Sequence, residues 1–350
     1  MKAGWALLAS ALALPAGAQA PQPDAELGRV QVQGEAASPR EKKTLAQLFK
    51  AQALFDQHRA LAPRATLRFK VYARTQADTA PSLDLGLMTP QGRQPVPLDA
   101  DDRFAIDPAW QQLPGATELR SRLRDGRVTW RPDIRTPGVP NGERRLGDLR
   151  LQCRVGFGSG VARGATGLGR LLSWVVDDCA DRDWSPSNFA DRPVFAVTLV
   201  HGERRQTISE RLLHGVRDEG GPHYDWGYSL RERMFRLPLG DANWPDDTRV
   251  VLEAMDDPPV PPDASLRALA DDWAQAALAL APGLAPADVV QRLGAALDDT
   301  RFESGRRLLR HGREITGDAG RAWLELVSLF DAEDRLLKTS LRRLPGAPRP

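Results

Sequence analysis

Long apolar runs are missing from this 350-residue chain after its first twenty residues. A membrane-spanning helix needs about 20 consecutive apolar residues, so no transmembrane segment is expected. Cysteine is nearly absent, with only Cys153 and Cys179. Two cysteines exclude the multi-cysteine zinc modules and disulfide-dense scaffolds. Lysine is scarce, at Lys2, Lys42, Lys43, Lys50, Lys70 and Lys338, and arginine carries the remaining basic charge. With abundant Ala, Pro and Gly this reads as codon bias and not as phosphate recognition. Excess charge of one sign is also lacking, since 48 basic residues face 46 acidic ones for a net +2. Such a balance gives no large field to draw nucleic acid or anionic lipid.

Catalytic and cofactor motifs are equally absent. The five histidines, His58, His201, His214, His223 and His311, include no i, i+4 pair of the helical zinc type. His214, His223 and Asp225 are the set that could converge on a metal, and ordinary loop histidines are the expected reading. Gly156-Phe157-Gly158-Ser159-Gly160 lacks dinucleotide-fingerprint spacing, and Phe157 replaces the first glycine of a nucleophile elbow around Ser159. A flexible loop between strands is expected there. Asp177, Asp178, Asp181 and Asp183 lack the ordered spacing and central glycine of a calcium loop. No catalytic residue, metal or cofactor is therefore assigned.

What is present begins at residues 1–20. Lys2 supplies a positive start, Trp5 to Leu14 is an apolar stretch broken only by Ser10, and Ala18-Gln19-Ala20 follows Pro15. This is the plan of a cleaved export signal, cut near Ala20. The processed chain would carry a net +1, since only Lys2 is removed. No cysteine lies near the cut, so no lipid anchor is expected. The location expected is the periplasm, an oxidising compartment. There Cys153 and Cys179 should form one disulfide, closing a loop of about 25 residues and contributing about 3 kcal/mol.

Residues 21–64 form an N-terminal segment with one amphipathic helix. Ser38-Pro39-Arg40-Glu41 reads as its start, His58 lies near its end, and Leu45, Leu48, Phe49 and Phe55 share a face. Residues 65–145 form a β-rich, sandwich-like region. Leu67, Phe69 and Val71 alternate with polar neighbours, and Leu83 to Leu87, Phe104 to Ile106 and Val128 to Trp130 follow. Pro137 to Gly142 makes a turn-rich connection. Residues 146–255 form a second antiparallel β-rich region holding the disulfide. In it Leu149, Leu151, Cys153 and Val155 read as one strand face, and Pro193 to Val200 is a strong apolar strand. Gly220 to Tyr228 mixes aromatic and polar groups most densely, and His223, Tyr224, Asp225 and Trp226 are the candidate binding residues.

Residues 256–263 are a linker, with four prolines between Pro258 and Pro262. Residues 264–344 turn helical and then strand-like. Leu266, Leu269, Ala270, Trp273, Ala277 and Leu280 form one helical stripe from Asp263 onward. A second helix starts at Pro286 and ends at Gly294. Strands are expected over 307–311, 322–330 and 335–344, with Asp331-Ala332-Glu333-Asp334 as the last turn. The fold class is thus α+β, mainly β, closing in a layer of two helices on three strands.

The ordered set Leu280-Ala281-Pro282-Gly283-Leu284, Ala287-Asp288-Val289-Val290, Leu293-Gly294 and Leu324 to Asp331 resembles the SmpA/OmlA (BamE-like) family. The likeness covers roughly 65 residues, the size of a small domain. Ala295-Ala296-Leu297 stands where that family usually carries a proline, and Arg307 to His311 replaces an aromatic-rich strand. Family members are commonly lipoproteins of the outer-membrane assembly machinery. The resemblance implies a protein-binding module whose partners are envelope proteins, including assembly components. The same layout also resembles β-lactamase-inhibitor modules, which implies an inhibitor as an alternative. A periplasmic enzyme with a site around His201, His214, His223 and Asp225 is the other alternative.

Overall fold

The computed structural model describes residues 42–73, 83–122, 128–162, 179–180, 187–215, 228–317 and 320–344. The expected export signal and residues 38–41 lie outside these. Among the described residues strands outnumber helices, the sheets are antiparallel, and no helix is long and apolar enough to cross a membrane.

The first helix begins later than its sequence suggests. Lys42–Thr44 is a strand, β1, and Leu45–Gln57 is the helix α1. Thr44 and Gln47 form the capping box: the Gln47 amide donates to the Thr44 hydroxyl at 3.4 Å, and the Thr44 N–H donates to the Gln47 side chain at 2.9 Å. The chain before Thr44 is spent pairing with β6, Glu118–Arg120.

Two sheets accompany α1. One runs in the order β1-β6-β3-β4, with β3 at Leu85–Thr89 and β4 at Gly92–Val96. The other runs β5-β2-β7, with β5 at Arg103–Phe104, β2 at Thr66–Ala73 and β7 at Val128–Arg135. Their shared core holds Leu45, Leu48, Phe55, Leu87, Leu119 and the ring cluster of Phe69, Phe104 and Trp130, with edge-on contacts at 5.4–6.0 Å.

Residues 146–159 are not a strand. They form α2, Leu146–Ser159, and the reason explains the misleading pattern. Positions two apart on a helix lie about 200° apart, on opposite faces. Leu151 and Val155 enter the first core, while Leu149 and Cys153 enter a second one. A helix with a core on each side thus imitates the alternation of a strand. The glycine-rich stretch after it is likewise not an inter-strand loop at its start. Gly156 and Gly158 belong to the last turns, where Leu54 of α1 would stand 2.7 Å from a Cβ at 158. Gly160 ends the helix at φ 77°.

The second core lies on a sheet ordered β11-β10-β13-β8, with β8 at Glu143–Arg145, β10 at Val194–His201, β11 at Arg204–Thr207 and β13 at Arg249–Ala254. A two-stranded ladder, β9 (Asn188–Phe189) with β12 (Met234–Phe235), lies beside it. The Cys153–Cys179 disulfide is present, with Cα atoms 5.8 Å apart, and both cysteines are buried in this core.

The expected C-terminal helical stripe is divided. Ala264–Arg267 (α3) and Asp272–Leu278 (α4) are separate, because Asp271 accepts the Ala274 amide at 2.9 Å and caps a new helix. Pro286–Leu293 (α5) ends at Gly294. The sheet has four strands, not three: Asp298–Arg301 (β14) precedes Arg307–Gly317 (β15), Gly320–Phe330 (β16) and Leu336–Leu344 (β17). Leu309, Leu324 and Leu326 face the helices with Leu266 and Val289. Leu308, Val327 and Leu329 pack on Phe195 and Ala196 of β10 and on Met255. A buried polar seam crosses this second junction. Glu325 accepts from the Ser209 hydroxyl and the Glu210 amide, each at 2.8 Å, and Arg342 donates to Glu325, to the Ile208 carbonyl and to the Phe195 carbonyl.

Candidate functional site

The candidate residues His223, Tyr224, Asp225 and Trp226 lie outside the described residues, as do Asp177, Asp178, Asp181 and Asp183. His201 and His214 are described. His201 sits at the surface with Nε2 3.5 Å from Asp247. His214 is buried against Phe302, its ring centroid 5.0 Å away, and its Nδ1 lies 3.4 Å from the Arg231 carbonyl. Different partners surround the two rings. No group of three metal-ligating side chains occurs among the described residues. The Ser159 hydroxyl donates to the Val155 carbonyl at 2.6 Å, a bond within α2.

A cleft of about 1610 Å³ opens among the described residues. Its walls are β2, the turn after β7, the residues before β10, one end of β13 and the β14–β15 and β16–β17 turns. At its floor lies a charge network, enclosed at Lys70, Asp133, Arg144 and Asp148 and open to solvent at Asp191. Asp133 accepts from Arg103 Nε at 2.7 Å and from Arg135 Nε at 3.0 Å, with Arg144 3.6 Å away. Asp191 accepts from Lys70 at 2.7 Å and from both terminal nitrogens of Arg135 at 2.8 and 2.9 Å. Asp148, on α2, takes the Thr136 amide and hydroxyl, each at 2.8 Å. Tyr72 lines the cleft above them and is buried.

Their ionisation follows from this geometry. Burial alone would raise the Asp133 pKa, but Arg144, Arg135 and Arg103 outweigh it and hold the carboxyl below its ordinary range. Asp191 is held well below its range by Arg135 and Lys70, again against the cost of burial. Burial pushes the Tyr72 phenol up, and the Asp133 and Asp191 charges push it further, so it stays protonated. Desolvation lowers the Arg144 pKa, opposed mainly by Asp133. Such carboxylates are poor proton acceptors at neutral pH, and the described lining contains no histidine or cysteine.

The sheet edge beside the floor is closed. The Trp130 carbonyl on β7 accepts from Lys43 at 2.6 Å, the Ile134 carbonyl accepts from Arg144 at 2.8 Å, and the Ile134 amide donates to Gln152. Pro132 between them has no N–H to offer. A partner strand cannot extend the sheet at its β7 edge.

None of the network was singled out by sequence reasoning. A signal existed: Arg131-Pro132-Asp133-Ile134-Arg135 continues the strand from Val128 and alternates charge with apolar residues. Comparison with protein-family models, with curated proteins and with solved structures found no match.

Proposed function

We propose that this protein is an exported, non-catalytic binding component of the bacterial cell envelope, working in outer-membrane biogenesis or maintenance. The observation that carries the reading is the cleft floor: its carboxylates are engaged by guanidinium, ammonium or hydroxyl donors, while the space above is large enough for a segment of another macromolecule. The Cys153–Cys179 disulfide supports an oxidising compartment, in keeping with the charged, apolar and small-residue plan of residues 1–20. The resemblance of residues 280–294 and 324–331 to the SmpA/OmlA family supports a link to assembly. Affinity capture from envelope fractions tests the reading. Co-isolation of outer-membrane assembly proteins with the chain cleaved near Ala20 is expected. Recovery of the uncleaved chain in the cytoplasm, with no envelope protein attached, would sink it.

A further inference from the structure

The cleft carries a charge opposite to that of the whole chain. Among the described residues lining it, eleven are acidic and seven are basic, in a protein of net +2. The excess is not buried in the floor network. Asp102, Glu303, Asp331 and Glu333 line the cleft without an ion pair among the described residues, against Arg233 on the basic side. Low-dielectric walls concentrate that potential within the cleft.

A second, independent feature is Tyr72. It is 7% exposed, yet its hydroxyl makes no hydrogen bond among the described residues. A ligand carbonyl seated beside the ring would supply the acceptor that the protein itself does not offer this hydroxyl. Leu252 and Leu337 add apolar wall suited to the methylene stems of long basic side chains.

We infer that the cleft binds an extended, lysine- or arginine-rich polypeptide segment of a partner protein. Its ammonium or guanidinium groups meet the acidic rim, and one of its backbone carbonyls accepts from the Tyr72 hydroxyl. A polypeptide fits better than a small polyamine because the site offers a hydrogen-bond donor and apolar wall as well as charge. This inference rests on the binding reading above and names the partner's chemistry.

The test uses the exported, disulfide-intact protein and fluorescent twelve-residue peptides that are basic, acidic or neutral, followed by anisotropy. Preferential binding of the basic peptide is expected, weakening about tenfold or more between roughly 50 and 300 mM salt. Tyr72→Phe should lower affinity about three- to tenfold with an unchanged melting temperature, the effect of one lost hydrogen bond. Glu303→Lys with Glu333→Lys, on exposed turns, should lower it further. Equal binding of the acidic peptide, indifference to all three substitutions, or equally tight binding of spermidine alone would overturn the inference. Envelope partners captured by the protein but not displaced by the basic peptide would overturn it while leaving the binding reading standing. Failure to capture any partner would instead strike the binding reading itself.

Discussion

Asp133 sits where three guanidiniums meet, and its side chain is only 2% exposed. Asp133→Asn keeps the shape and removes the charge, leaving Arg103, Arg135 and Arg144 short of a counter-ion in a buried place. A loss of about 3–5 kcal/mol is expected, measured by urea unfolding. The pH dependence has a definite sign. The folded pKa lies below the unfolded value of 3.8, so the carboxylate's contribution is present above that value and lost as pH falls through the lower folded one. His311 behaves differently. It is buried under the helical layer of the C-terminal sheet, beside the Gly294 backbone. Burial lowers its pKa from 6.5, offset in part by the nearby Gly294 backbone. The unfolded chain therefore takes up a proton first, and stability falls as pH drops below 6.5. His311→Leu should flatten the urea midpoint between about pH 6.5 and 5, leaving only the carboxylate decline at lower pH.

Among the elements, those whose apolar pattern matches their own period, or forms a continuous run like that of β10, could be read from their residues. β2 and β10, the start of α5 at Pro286 and the turn at Asp331 to Asp334 stand where the alternation, the cap or the turn residues put them. α2 could not, because it has two buried faces and the apolar spacing of a strand. The division between α3 and α4 was hidden by a continuous stripe, while the decisive signal was the capping carboxylate of Asp271. The cleft network was hidden for another reason: Lys70 and Asp191 are 121 positions apart, and Arg135 and Asp191 are 56 apart. Local pattern carries no information about such pairs. The N-terminal end of α2 offers a test of how tightly these elements meet. A Cβ at Gly147 would stand 2.1 Å from the Leu61 carbonyl oxygen, a backbone atom with little freedom to retreat. Gly147→Ala should cost about 1–3 kcal/mol or more, read as a lower melting temperature, although alanine is the better helix former.

Across the whole molecule, the C-terminal lobe is joined to the rest by more than its linker. Lys338 donates to Glu253 at 2.8 Å, to the Ala254 carbonyl at 2.7 Å and to the Asp257 carbonyl at 2.9 Å, closing one end of the junction. Glu325 and Arg342 occupy its middle, each almost fully enclosed. The proline-rich residues 258–262 therefore connect two bodies already bound through their sheets, and the lobe's back face is covered. Glu325→Ala leaves Arg342 enclosed without its carboxylate and should separate thermal unfolding into two transitions where the parent protein shows one. Calorimetry would detect the split, and a single transition at a lower temperature would show that the lobes do not unfold independently.

The helix between two cores has a consequence in time as well as in space. A wall held from both sides can open only when both rooms collapse. Leu149 and Cys153 are held by one core and Leu151 and Val155 by the other, so no partial opening of either exposes the α2 backbone. Its central amides should exchange with deuterated water only through global unfolding, with protection equal to the full unfolding free energy. Those of the short edge strand β4 should exchange long before.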